Sequence, residues 1–198
     1  FTDAFDVLYT AEAKQMVEIF VQRNYTILFA AECGCWPHIM EDKKICHDIY
    51  PKSPTPYRYL NSGTWIGYAK AAKLMLAEEI QLAGNDFRNA NDQKLVADMF
   101  LAGKHGIQLD YKSEIFQSMH RTDPPDLDYC DPYPDLELSQ SRRWRNKRTN
   151  TFPGVFHFNG GGKAHHLSME SQVWYKQHHY YSGVEGQSTR DMVVTVPL

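Results

Sequence analysis

The chain lacks any apolar run approaching the roughly 20 residues that a bilayer-spanning helix needs, so no membrane span is expected in this segment. It also lacks an excess of positive charge: 21 Lys and Arg against 24 Asp and Glu leave a formal net charge of −3. That balance excludes the basic footprint by which proteins hold nucleic acid or anionic lipid. The one basic run, Arg142 to Arg148, follows the acidic, proline-rich stretch Asp123 to Glu137 and reads as a solvated, hairpin-like excursion whose charges offset one another. Cysteine is scarce, with four in 198 residues, and Cys33-Gly34-Cys35 is one residue too short for a zinc-binding pair. No internal repeat occurs. No signal peptide is recognisable either, the sequence opening directly on an ordered-looking strand.

What is present is a 42% apolar, 13% aromatic chain long enough to bury one substantial core, so one domain is expected. A Cys35–Cys46 disulfide across a proline-containing loop fits the spacing, and Asn24-Tyr25-Thr26 is a glycosylation sequon. Both lean towards an oxidising compartment.

Hydrophobic periodicity sets out the elements. Phe5 to Tyr9 reads as the end of a buried strand, and Ala11 to Gln22 as a helix with Ala13, Met16, Val17 and Phe20 on one face. Tyr25 to Ala31 (YTILFAA) is a continuous apolar run suited to a strand covered on both faces. Prolines and polar residues make Glu32 to Tyr59 a long loop. A strand over Leu60 to Ala69, helices over Ala71 to Leu82 and Asp92 to Leu101, and short strands at Ile107–Tyr111, Ile115–Gln117 and Val155–Phe158 complete the pattern. Strands alternating with helices indicate an α/β layered sheet.

Two stretches carry chemistry. Asp3 and Asp6, read as ending a strand, stand where an open α/β sheet places its ligand, and hard oxygen donors suit Mg²⁺ or Mn²⁺. The plainer alternative is that Asp6 or Thr10 caps the following helix. Far downstream, His157-Phe158-Asn159-Gly160-Gly161-Gly162-Lys163 offers an imidazole, a glycine run exposing backbone N–H groups, and a lysine. Those are the groups a diphosphate and its cation need. Glu32 ends the apolar run and Asp92 opens a helix. Locally, Glu32 could equally pair with Arg or Lys, and Asp92 could serve the helix dipole.

FTDAFDVLY, ILFAAECGCWP, YLNSGTWIGYA, NDQKLVADMF, LDYKSEIFQS and HFNGGGK occur in the order of similar motifs in one family. The chain resembles the glycosyltransferase domain of procollagen-lysine 2-oxoglutarate 5-dioxygenases (multifunctional lysyl hydroxylases) and related collagen glycosyltransferases, over roughly residues 1–120 and 150–167. The resemblance implies a GT-A-like mixed sheet flanked by helices. It implies a metal-dependent enzyme moving glucose or galactose from a UDP-sugar to a hydroxyl of a protein or glycan acceptor, such as hydroxylysine or galactosyl-hydroxylysine of a collagen-like protein. Asp3, Asp6 and His157 would hold Mn²⁺ (or Mg²⁺), with Phe5, Asn159, Gly160 and Lys163 beside the nucleotide and diphosphate. Asp92 by preference, and Glu32 second, would serve as the catalytic carboxylate; Asn61, Ser62 and Gly63 match the acceptor-side strand. The resemblance also supports the Cys35–Cys46 pairing and implies the lumen of the endoplasmic reticulum or Golgi.

Two departures stand out: Asn91 replaces an acid before Asp92-Gln93, and residues 122–150 read as a loop insertion without a close counterpart. Residues 1–198 are expected to be the carboxyl-terminal part of one GT-A-like domain, the nucleotide-holding strands lying outside them, so that the segment alone binds UDP weakly. Further fused domains are expected outside it. The competing expectation is a non-catalytic accessory or scaffold domain. Iron dioxygenase chemistry in this segment is set aside because no His-x-Asp occurs.

Overall fold

The computed structural model describes residues 1–38, 45–86, 88–122 and 129–181. Along the chain run β1 (Val7–Tyr9), α1 (Ala13–Gln22), β2 (Ile27–Glu32), α2 (Ile45–Ile49), β3 (Tyr59–Gly67), α3 (Ala69–Ala83), α4 (Asp92–Leu101) and β4 (Ile107–Asp110). Then follow β5 (Phe116–Ser118), β6 (Leu136–Leu138), β7 (Trp144–Asn146), β8 (Val155–His157) and α5 (Lys163–Tyr181). Residues 1–166 form one unit, and a second begins at Leu167, whose described part continues α5 to Tyr181.

The first unit is mixed α/β. One sheet has the order β3-β2-β4, with β2 antiparallel to β3 and parallel to β4. A second has the order β1-β8-β5, with β8 antiparallel to β1 and parallel to β5. All six residues of β2 are buried, as its unbroken apolar run requires. Because side chains alternate along a strand, Ile27, Phe29 and Ala31 join one core with Tyr57, Leu60, Met75 and Met99. Leu28 and Ala30 join another with Phe20, Ile115, Phe116 and Val155. Each large apolar side chain so buried contributes about 1.5–3 kcal/mol, and α4 adds Val96, Ala97 and Met99 from its inward face.

Register irregularity positions the cleft. Phe29 pairs with Trp65 but Ala30 pairs with Asn61, so β3 departs from β2 over residues 62–64. There it meets the chain's first residues instead: Thr2 bridges Thr64, and the Asp3 N–H donates to the Gly63 carbonyl at 2.8 Å. Bulges of this kind bend a strand and re-aim its side chains.

Several expectations change. Asp3 and Asp6 precede β1 rather than ending a strand, and they reach the cleft because antiparallel pairing sets Val7 opposite His157 at the carboxyl end of β8. Neither Asp6 nor Thr10 caps α1, whose N-cap is Glu12; the Thr10 hydroxyl donates to the Pro153 carbonyl at 2.7 Å. The long loop after β2 contains α2, and its residues 39–44 lie outside the described residues. Positions 123–128 of the acidic stretch lie outside them too.

The basic run does form a hairpin strand, β7 on β6, with Arg145 paired to Glu137 at 2.9 Å and Arg148 to Asp135 at 2.5 Å. It is not wholly solvated, because Trp144 and Asn146 are buried and the Asn146 amide donates to Gln117 Oε1 and Tyr57 Oη. Cys35 and Cys46 are bonded as expected, while Cys33–Cys130 ties the end of β2 to the segment before that hairpin. No described helix is long and apolar enough to cross a membrane.

Candidate functional site

A cleft of about 420 Å³ is lined by Asp3, Asp6, Glu32, Ser62, Gly63 and His157, among others. Three ligand atoms converge there, one each from Asp3, Asp6 and His157, all within 4.8 Å of one another. His157 Nε2 lies 3.3 Å from Asp3 Oδ2 and 3.5 Å from Asp6 Oδ1, and is buried without a hydrogen-bond partner among the described residues. Gly63 makes the approach possible, since a Cβ there would stand 2.1 Å from His157 Cε1 and 2.7 Å from Asp3 Oδ2.

The set suits a small divalent cation. Ligand atoms about 2.1 Å from an octahedral ion and at right angles to each other are about 3 Å apart, close to the separations found. Two carboxylate oxygens and an imidazole nitrogen are ligands acceptable to Mn²⁺ and Mg²⁺. Without an ion, burial holds the His157 imidazole below its ordinary pKa against the pull of Asp6 and Asp3. Burial likewise raises Asp3, opposed by His157. Both shifts disfavour charge; a bound cation would reverse that preference for the Asp3 carboxyl and reinforce it for the His157 ring, which ligates only when neutral.

Around this centre the other expected residues divide. Lys163 Nζ is 3.6 Å from Asp6 Oδ2 on a largely exposed side chain, so it offers a mobile positive charge at the rim. Asn159 and Gly160 line the same cleft. Asp92, exposed at the start of α4, does not itself line the cleft but accepts a hydrogen bond at 2.8 Å from the hydroxyl of Ser62, which does. Asn91 caps α4 by accepting from the Lys94 N–H at 2.9 Å, so its carboxamide is committed to the helix. Phe5 is 94% exposed and does not line the cleft.

Among the described residues Glu32 is met by amides and by no Arg or Lys. Its Oε1 accepts from Asn61 Nδ2 at 3.1 Å and Gln93 Nε2 at 2.9 Å, and its Oε2 from Asn159 Nδ2 at 2.7 Å. Burial pushes its carboxyl up to about 7, with those three amides pulling the other way.

Trp36, Gln93 and His120 line the cleft without having been given a role from the sequence. Gln93 could have been found, since positions 93, 96, 97 and 100 share a helix face and Gln93 is its polar member. His120 carried no local signal; its imidazole lies in the cleft because Gly34 and Gly160 leave room for it.

Fold and site together define an α/β domain with an open cleft whose acid–acid–imidazole set can hold a cation. The family described as "PLOD GT domain" matches residues 1–180. The chain is 32% identical over 168 residues to procollagen-lysine,2-oxoglutarate 5-dioxygenase of Drosophila melanogaster, covering 83% of this chain and 21% of that one. It is 31% identical over 164 residues to the multifunctional procollagen lysine hydroxylase and glycosyltransferase LH3 of Homo sapiens, covering 82% and 20%. To procollagen-lysine,2-oxoglutarate 5-dioxygenase 2 of Mus musculus it is 34% identical over 120 residues, covering 61% and 16%. The chain belongs to the PLOD glycosyltransferase-domain family. It spans about a fifth of the length of the first two of these relatives.

Proposed function

We propose that this domain transfers a hexose, glucose or galactose, from a UDP-sugar to a hydroxyl acceptor of collagen-like protein, with Mn²⁺ or Mg²⁺ held by Asp3, Asp6 and His157. The observation carrying the reading is the buried His157 Nε2, without a hydrogen-bond partner among the described residues and facing two carboxylates across a pocket that only glycine at position 63 leaves open. When bound, the cation supplies charge that stabilises the departing diphosphate.

The chain's own groups account for the rest. Lys163 adds a cation at the rim of the cleft that Asn159 and Gly160 line, where it would meet phosphate oxygens. Asp92, oriented by the Ser62 hydroxyl, is the acceptor's general base if configuration inverts, because both Glu32 oxygens are engaged by amides. Phe5, exposed beside Asp6, is free to stack on a nucleotide base. Two disulfides support residence in a secretory lumen.

The accessory-domain reading is favoured by one feature, the uncharged Asn91 engaged in capping. UDP-sugar hydrolysis by the full-length protein, titrated with Mn²⁺, separates the two. The wild type should turn over with manganese and Asp6→Ala should not; equal rates contradict the metal assignment.

A further inference from the structure

Asn61 stands between a carboxylate and an imidazole, and the elements around it leave its carboxamide one orientation. Glu32 Oε1, as a carboxylate, only accepts, and it also receives the Gln93 Nε2 proton, so the group 3.1 Å from it is the Asn61 NH₂. The Gly63 N–H can only donate, so the Asn61 atom 3.1 Å from it is the oxygen. Two independent neighbours therefore agree, and the atom that meets His157 Nδ1 at 2.9 Å is that same oxygen. An oxygen cannot donate, so the neutral ring must carry its proton on Nδ1.

We infer that Asn61 is the positioning residue that sets the His157 tautomer, keeping Nε2 bare towards Asp3 and Asp6, with Glu32 and the Gly63 N–H locking the carboxamide in place. The alternative tautomer has a strong attraction of its own. A proton on Nε2 would face carboxylate oxygens at 3.3 and 3.5 Å, and charged acceptors make the stronger hydrogen bonds. Without the Asn61 oxygen the ring would turn its proton to them and block the lone pair that a cation needs. Glu32 is then a buried brace whose oxygens gather β3, α4 and the loop after β8. This role rests on reading Asp3, Asp6 and His157 as cation ligands, but the tautomer itself is measurable without any cation.

Long-range ¹H–¹⁵N spectra of the metal-free full chain, with His157 assigned through a His157→Asn spectrum, report which ring nitrogen is protonated. The wild type should show the Nδ1–H form. Asn61→Leu should move the proton to Nε2, and Asn61→Asp, which restores an acceptor, should keep it on Nδ1. In a parallel Mn²⁺ titration, Asn61→Leu should bind about 10–100-fold more weakly than wild type, the range seen for such outer partners. A wild-type ring protonated on Nε2 overturns the inference whether or not the variants fold. So does an Asn61→Leu protein that keeps the Nδ1–H form. A wild type that shows the Nδ1–H form but binds no Mn²⁺ leaves the tautomer assignment standing and refutes the cation reading instead.

Discussion

Two parallel neighbours, β2 and β4, each end in a buried carboxylate, Glu32 at 2% exposure and Asp110 also at 2%. Burial raises both, Glu32 to about 7 and Asp110 to about 6. Their partners differ in kind. Asp110 accepts three backbone N–H groups from the turn that follows it, Glu114 at 2.8 Å, Ile115 at 2.8 Å and Phe116 at 2.9 Å. Glu32 accepts three side-chain amides from three separate elements, one of which touches His157. A carboxylate answered by its own local backbone shapes a turn. One answered by side chains gathered from afar shapes a cleft.

Gly63→Ala breaks the cleft side of that comparison most severely. The new Cβ would overlap the His157 ring and crowd Asp3, so Mn²⁺ affinity should fall by more than the 10–100-fold or so expected for an outer partner. Calorimetric titration checks it, and unchanged affinity would contradict the site. Asp110→Ala breaks the other side. It leaves three backbone N–H groups without their acceptor, and unfolding free energy should drop by about 3 kcal/mol in urea, with Mn²⁺ affinity retained. A loss of Mn²⁺ affinity there would erase the distinction drawn between the two acids.

The pH dependence sharpens the contrast. Each acid binds its proton more tightly folded than unfolded, so stability is fully present at low pH and is lost as pH rises. For Asp110 the window runs from 3.8 to about 6, and for Glu32 from 4.5 to about 7. Each can account for up to about 3 kcal/mol across its window. Glu32→Gln should flatten the melting-temperature slope from about pH 4.5 up to about 7, and Asp110→Asn the slope from 3.8 up to about 6, so that only Glu32→Gln acts above pH 6 and only Asp110→Asn below 4.5. Slopes that respond the other way round would be wrong for this account. Smallest is Asn91→Asp. Asn and Asp cap helices about equally well, so stability should shift by less than about 0.5 kcal/mol, while the charge added beside Asp92 tests whether position 91 tunes turnover.

The legible parts of the sequence were those where local pattern and tertiary demand coincide. YTILFAA announced a strand buried on both faces, and DQKLVADMFL a helix, because burial alone dictates their composition. The cleft was legible only as fragments. Asp3 and Asp6 were identifiable as residues but not as lying before β1, since antiparallel pairing with a strand about 150 residues downstream determines which strand end they share. The Cys33–Cys130 bond, 97 residues apart in sequence, depends on the same long-range placement. Asn61 looked like an acceptor-side residue until the register jump in β3 set it between Glu32 and His157. Helix α5 went unseen because Lys163 to Tyr181 is mostly polar and aromatic, without an apolar stripe.

The account stands or falls on what lies between Asp3, Asp6 and His157. Crystals of the full-length protein grown with Mn²⁺ and UDP, measured at the manganese absorption edge, answer that directly. The predicted result is one anomalous peak in contact with Asp3 Oδ2, Asp6 Oδ1 and His157 Nε2; a cleft with no peak, in which Nε2 instead donates a hydrogen bond to Asp3 or Asp6, would contradict it.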